Sequence, residues 1–341
     1  MSKVDRNASA SAFGWQFQIN AAIFMMIKYF GSFNKLKVEG EKEDIEISLN
    51  NNKRIYAQAK AKQFIDYENT NGYSSKLNEA LTSLSDVDNE DIEKLIYVSN
   101  LEPHPLNVNN KEFELVSFLR YNELTPESRQ KIDKQLDKIE SKIDKDKLII
   151  AKIPFYGEDK STRHKYITSE IEKFLAIISS DLIPYSQRLL ETWETEFLHN
   201  ATQKNMNLKI EKDEVLWKLL VFKLENNATD KFDEKMQIDE EDYYNALEKY
   251  DKVINYKEGK FEIYNKISQL ILKARRLNNK INSIDFIVNY ADEIYDIVFK
   301  DNKNTEEELI ERACAKIIAR RIFLKKRNLG ELMERAKKYE N

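Results

Sequence analysis

The stretch VEGEKEDIEISLNNNKRIYAQAKAK, Val38 to Lys62, decides how the rest of this chain is read. From Asp44 to Leu49 apolar and polar residues alternate, which predicts a strand with Ile45, Ile47 and Leu49 on one face and Asp44, Glu46 and Ser48 on the other. Asn50-Asn51-Asn52-Lys53 tolerates positive φ and hydrogen-bonds its own backbone, so the chain reverses there. The returning strand, Arg54 to Lys60, sets Tyr56, Gln58 and Lys60 on one face. Ala57, Ala59 and Ala61 on the other leave room for a helix to pack closely. If the two polar faces coincide, Asp44, Gln58 and Lys60 converge at one end of a hairpin.

A carboxylate, an amide oxygen and an ammonium on rigid strands suit metal-assisted phosphodiester hydrolysis. Carboxylate and carbonyl oxygens hold Mg²⁺ while it keeps several waters, and a neighbouring lysine orients one of them. The same three residue types also make an ordinary solvated hairpin face, and a D…QxK match in a lysine-rich chain arises easily by accident. Spacing leaves both readings open.

Three pieces of sequence occur in a telling order: Gly14-Trp15-Gln16-Phe17-Gln18-Ile19-Asn20-Ala21-Ala22, then Val38-Glu39-Gly40-Glu41 running into Glu43-Asp44-Ile45, then Tyr56-Ala57-Gln58-Ala59-Lys60. Over about the first half of the chain this resembles the double-stranded-DNA endonuclease domain of the PD-(D/E)XK superfamily, found in CD-NTase-associated antiphage effectors and in Lamassu-type defence nucleases. The resemblance implies Mg²⁺-dependent (or Mn²⁺-dependent) cleavage of double-stranded DNA, with Gln18, Asp44, Gln58 and Lys60 as the site. Under it Asp44, Gln58 and an acid such as Glu41 hold metal, Lys60 positions the attacking water, and Gln18 orients Gln58 or the scissile phosphate. Glu39 and Glu43 compete with Glu41 for the assisting role, and Lys62 and Arg54 are the candidate DNA contacts. A solvated acidic turn is the alternative for Glu41 and Glu43.

Composition narrows the rest. A chain of 341 residues accommodates two domains. With 55 basic and 59 acidic residues the net charge of −4 offers no global attraction to nucleic acid, so binding must come from local patches. The single cysteine, Cys314, excludes an intramolecular disulfide and a cysteine-based zinc site, and fits a reducing cytoplasm. No apolar run approaches a membrane span, so no membrane partner is expected. His104, His164 and His199 are too dispersed for a zinc site or a triad.

Along the chain, Ser9 or Ser11 caps a helix running to about Phe30, on which Gln18 shares a face with Ala21, Ala22 and Met25. Lys35 to Val38 reads as a short strand, Gln63 to Ser75 as a loop and Ser75 to Leu84 as a helix. Lys94 to Ser99 is a central strand and Leu148 to Ile153 another. Lys111 to Tyr121, Pro126 to Ile143 and Ile167 to Ile178 read as helices. This is a mixed sheet flanked by helices, a restriction-endonuclease-like domain over residues 5–180.

A boundary at Asp181 to Ser186 introduces an all-helical region, residues 187–341, with periodic segments Gln187–Phe197, Glu214–Leu224, Glu240–Val253, Lys260–Arg276, Ser283–Val298 and Glu306–Tyr339. In the last of these Arg312, Lys316, Arg320 and Arg327 form a basic stripe that suits a phosphate backbone, an acidic partner or solvent. A DNase free of restraint would kill its host. The expectation is therefore a partner such as an SMC-like ATPase complex, as in Lamassu systems, or a homo-oligomer as the active form. The rival expectation is a non-catalytic helical interaction subunit with a degenerate nuclease domain.

Overall fold

The computed structural model describes residues 9–63, 71–88, 91–103, 111–225, 232–299, 308–337 and 339. The chain divides into one unit of Met1–Lys212 with Ala336–Asn341, and a second of Asp213–Arg335. The fold is a mixed seven-stranded sheet with flanking helices, followed by a helical region.

Helix α1, Ser9–Lys28, is apolar almost all round, and that composition fits a helix covered on every side. One side packs on the sheet and the other on α4, Lys160–Ile178, and α5, Ser186–Thr202. Phe17, Ile23 and Met25 are fully buried there, each worth roughly 1.5–3 kcal/mol in transfer free energy.

The strands are β1, Phe33–Val38; β2, Ile45–Leu49; β3, Arg54–Lys60; β4, Ile92–Ser99; β5, Ser117–Arg120; β6, Leu148–Lys152; and β7, Ile210–Glu211. Their order in the sheet is β5-β6-β4-β3-β2-β1-β7. β1, β2 and β3 form an antiparallel meander, whereas β3, β4 and β6 run parallel. The carboxyl ends of β3, β4 and β6 therefore share one edge, where Lys60 lies beside Ser99 and Ser99 beside Lys152. Helices α2, Asn71–Ser85, and α3, Pro126–Lys138, close the sheet face opposite α1 around Tyr56, Leu95, Tyr97, Leu148 and Ile150.

Several elements differ from the sequence reading for identifiable reasons. Residues 111–121 do not form a helix: Ser117–Arg120 is the edge strand β5, antiparallel to β6, with Phe118 stacked on Phe24. Helix α3 stops at Lys138, because Ile139 caps it and Glu140 follows at a φ of 50°. Helix α4 begins at Lys160, seven residues earlier than periodicity suggested, since the Asp159 side chain accepts from the Thr162 amide. The segment read as the domain boundary, Asp181 to Ser186, forms a short 3₁₀ turn, Ser180–Tyr185, that runs directly into α5 at Ser186. Helix α5 buries Leu189, Leu190, Trp193 and Phe197 against the first unit, and the fully buried Lys37 ammonium caps it by donating to the carbonyls of Asn200 and Gln203. Strand β7, which periodicity did not reveal, pairs with β1 and adds the ion pair Lys35–Glu211 at 2.8 Å. Contacts thus divide the chain at Lys212/Asp213.

The second unit has no strand among its described residues and is built from helices α6, Lys212–Glu225; α7, Glu240–Glu258; α8, Phe261–Leu277; α9, Ser283–Asn289; α10, Ala291–Phe299; and α11, Glu308–Lys337. The segment read as one helix, Ser283 to Val298, is two, separated where Tyr290 caps α9. Trp217 stacks on Tyr264 at 4.0 Å between ring centroids, and Cys314 is buried.

Candidate active site

The β2–β3 pairing sets the site. Ile45 opposes Ala57 and Glu46 opposes Tyr56, so one further step sets Asp44 against Gln58, with the polar faces of both strands on the α2 side. Asp44 Oδ2 accepts from the Ala59 amide at 2.9 Å, which locks the carboxylate across the hairpin end. Burial raises the Asp44 carboxyl above its ordinary range, while the Ala59 amide, the Lys60 charge and the Gln58 amide pull it back down. Asp44, Gln58 and Lys60 therefore share one corner.

Glu43 joins them. It is 3 % exposed, accepts from the Ser83 hydroxyl of α2 at 3.0 and 3.2 Å, and contacts the Gln58 amide. Desolvation pushes its carboxyl up to about 7, against the lowering influence of Gln58, Ser83 and Lys60, and with Asp44 adding to the rise. Of the three glutamates in the turn, sequence alone gave no reason to single this one out. The signal is tertiary, because Ser83 belongs to a helix 40 residues downstream.

The other residues fall as follows. Glu41 is exposed and takes no part in the corner. Gln18 reaches the site from α1, but its Nε2 donates to Glu39 Oε1 at 2.7 Å and to the Asp44 carbonyl at 3.1 Å; it braces the acidic turn rather than orienting Gln58. That turn is tight: Glu39 has a φ of 52°, and a side chain at Gly40 would strike Glu46 at 2.4 Å. Lys62 follows the corner, its amide held by Asn100 Oδ1 at 3.0 Å. Arg54 sits at the opposite end of β3, about 20 Å from Lys60 at the usual strand rise, and leans on the Tyr56 hydroxyl. It is not a neighbour of the corner. The loop read over Gln63 to Ser75 lies largely outside the described residues, as does His104.

A divalent cation fits this donor set. Gln58 Oε1 is buried and has no hydrogen-bond partner, and beside it stand two desolvated carboxylates, the charge of Asp44 adding to the rise at Glu43 and that of Glu39 to the rise at Asp44. Among the described residues no three His, Cys, Asp or Glu side chains gather into a metal cluster, so the donors are two carboxylates and an amide. Mg²⁺, which binds through one or two carboxylates and keeps its waters, tolerates such a set.

Beyond the carboxyl ends of β4 and β6 a cavity of about 540 Å³ opens beside the corner, lined by Phe13, Gln63, Asn100, Lys152, Tyr156 and Arg163 among others. The Asn100 amide fastens its rim to the chain leaving Lys60 by donating to the carbonyls of Lys62 and Phe155. The space available there is of the size that small ligands and nucleotides fill.

The described part of the basic stripe of α11, Arg312, Lys316 and Arg320, is engaged within its own unit. Arg312 pairs with Asp292 at 2.7 Å and Glu308 at 2.8 Å, Lys316 donates to the carbonyls of Met236 and Gln237, and Arg321 reaches Asn255. Among the described residues no helix is long and apolar enough to cross a membrane.

No protein-family model matches the chain, and no curated protein matches it. Solved structures give a loose likeness. The Moraxella osloensis Cap4 SAVED/CARF-domain containing receptor is 12% identical over 63% of this chain and 48% of its own, with a TM-score of 0.38. The Acinetobacter baumannii Cap4 SAVED/CARF-domain containing receptor with the cyclic trinucleotide 3'3'3'-cAAA is 15% identical over 67% and 46%, at 0.36. The same receptor with 2'3'3'-cAAA gives 14% over 66% and 47%, also at 0.36. The chain thus spans about half the length of these structures.

Proposed function

We propose that the first unit is a Mg²⁺-dependent endonuclease acting on double-stranded DNA, the effector of an antiphage defence system. One observation carries the reading: Asp44, Glu43, Gln58 and Lys60 meet at the end of a single hairpin, with Gln58 Oε1 buried and lacking a partner. Asp44, Glu43 and Gln58 would hold the metal, which supplies Lewis acidity and an activated water at neutral pH.

In this reading the chain's own residues position and stabilise. Lys60 orients the attacking water and donates to the non-bridging phosphate oxygen where charge builds as the phosphorus–oxygen bond forms. Ser83 fixes the Glu43 carboxylate, and Gln18 with Glu39 holds the turn that carries Asp44. An amide at position 58, where a carboxylate would add charge, leaves the site less negative and its metal affinity lower. The helical unit serves recruitment or restraint, through an SMC-like ATPase partner or through oligomerisation. Its described residues contain no strand from which to build a sheet-based nucleotide sensor.

The test is plasmid cleavage by the purified chain with Mg²⁺ or Mn²⁺, beside Asp44→Ala and Lys60→Ala. Nicking or linearisation lost in both variants supports the assignment, and cleavage that survives in both removes it. A non-catalytic interaction subunit is the second reading, favoured by the absence of a three-member metal cluster among the described residues. Thermal stabilisation by Mg²⁺ that disappears in Asp44→Asn argues against it.

A further inference from the structure

Far from the acidic corner, three cations gather on the α1 face of the sheet. Lys94 opens that face of β4: it alternates with Leu95 and Tyr97, which belong to the opposite core. Arg120 lies on the same face of β5, beside Ile149 and two residues from Phe118, whose ring stacks on Phe24 of α1. Lys28 ends α1 directly above them. The lysines stand over aromatic rings, Lys94 Nζ at 4.7 Å from the Tyr29 centroid and Lys28 Nζ at 5.0 Å from that of Phe118. Strands β4 and β5 are separated by β6 alone, so about 10 Å spans the group across the sheet.

Among the described residues none of the three has a carboxylate within ion-pair distance. The nearest acids also serve other groups: Glu93 pairs with Lys53 at 2.9 Å, Glu170 with Lys173 at 3.1 Å, and Glu123 accepts from the Arg120 backbone amide at 2.8 Å. Half-burial lowers the proton affinity of Lys28 and Lys94; for Lys94 the charges of Arg120 and Lys28 lower it further, while Glu170 partly offsets the effect at Lys28 and Glu93 at Lys94. Partly desolvated like charges whose nearest acids are shared with other cations cost stability, and an anion seated among them reduces that cost. A ring face attracts a cation but does not relieve the repulsion between neighbouring cations.

We propose that Lys28, Lys94 and Arg120 form a phosphate-binding site, separate from the Asp44 corner. The guanidinium of Arg120 supplies a fork for two phosphate oxygens, and the two ammonium groups supply point charges above an aromatic floor. The site takes a phosphate group, borne by a free nucleotide or by the backbone of a nucleic acid. From Lys94 to Ser99, which lies beside Lys60, is about 17 Å at the usual strand rise.

Thermal unfolding of the full chain in phosphate-free buffer with EDTA tests this, using inorganic pyrophosphate, ADP and a short DNA duplex as separate probes. Pyrophosphate should raise Tm by on the order of 3 °C at saturation, and Arg120→Gln should weaken its binding by about tenfold. Lys94→Met should be at least as stable as the wild type without anion and less stable with it, a change of sign that a purely aromatic anchor does not produce. Asp44→Asn should respond like the wild type, so failure of the nuclease reading leaves this result standing. A response to pyrophosphate or ADP but not duplex assigns a terminal phosphate, and a response to duplex alone assigns the backbone. No response to any probe, or a Lys94→Met deficit equal with and without anion, overturns the site.

Discussion

The two charged ends of this sheet are built on opposite principles. At the carboxyl end of β3 the acids Glu43 and Asp44 are answered by Lys60, the Gln58 amide, the Ala59 amide and Ser83, so that each charge has a partner before any ligand arrives. At the amino end of β4 three cations face one another, and none has an ion pair among the described residues, the nearest carboxylates being shared with other groups. A compensated cluster keeps its geometry without a ligand, as a catalytic site requires. A weakly compensated cluster keeps repulsion that a ligand relieves, and that suits binding.

The sharpest way to break this contrast is at the compensated end. Asp44→Ala and Lys60→Ala should each lower plasmid cleavage by on the order of 10³-fold while leaving the anion response of the cationic cluster unchanged. Cleavage assays run beside pyrophosphate thermal shifts check both halves at once.

Next in size is the pH dependence of Glu43. Its carboxyl titrates at about 7 in the folded chain, above its value of about 4.3 in the unfolded one. The folded state then binds the extra proton between those values. The contribution to stability is complete below about pH 4.3 and is lost as pH rises through 7. Without divalent metal, wild-type stability should therefore fall between pH 5 and 8 relative to Glu43→Gln, by roughly 1–3 kcal/mol. Urea titrations at several pH values measure it, and parallel slopes for the two proteins would count against a buried, proton-seeking Glu43.

Gln18→Ala should cost about 1–2 kcal/mol by leaving Glu39 Oε1 and the Asp44 carbonyl without their donor. It should also weaken Mg²⁺ binding, read by calorimetry, because the turn carrying Asp44 loosens. The smallest effect belongs to the helical unit. Lys316→Met removes two donations to the Met236 and Gln237 carbonyls and should cost about 1 kcal/mol, without altering the salt dependence of DNA binding. A drop in that salt slope would return the α11 stripe to the nucleic acid.

Much of the first unit was legible because its signals are local. The alternation of Asp44 to Leu49, the Asn-rich reversal and the small residues of β3 specify a hairpin with polar faces matched, and α1 announces its burial by being apolar all round. The edge strand β5 was not legible. Ser117 to Arg120 is extended because β6 offers it a free edge, a partner invisible to a local pattern. Helix α5 shows its apolar stripe plainly, yet a stripe does not say which core it faces, and this one faces α1 and β1.

Charge was the least legible property. The α11 stripe stands out in sequence because helical spacing aligns Arg312, Lys316 and Arg320, and in the fold Arg312 is spent on Asp292 and Glu308, Lys316 on the Met236 and Gln237 carbonyls and Arg320 on the Met236 sulfur. Lys28, Lys94 and Arg120 are scattered through the sequence, and nothing but the sheet brings them together. Sequence by itself determined the hairpin, the helix beneath it and the placing of Asp44, Gln58 and Lys60 at one end of its polar face, since backbone periodicity and turn chemistry act over a few residues. Tertiary structure alone decided that Glu43 rather than Glu41 enters the corner, that Gln18 serves the turn, and which of the described cations lack an ion pair, because burial and Coulomb interactions depend on distance in space and not along the chain.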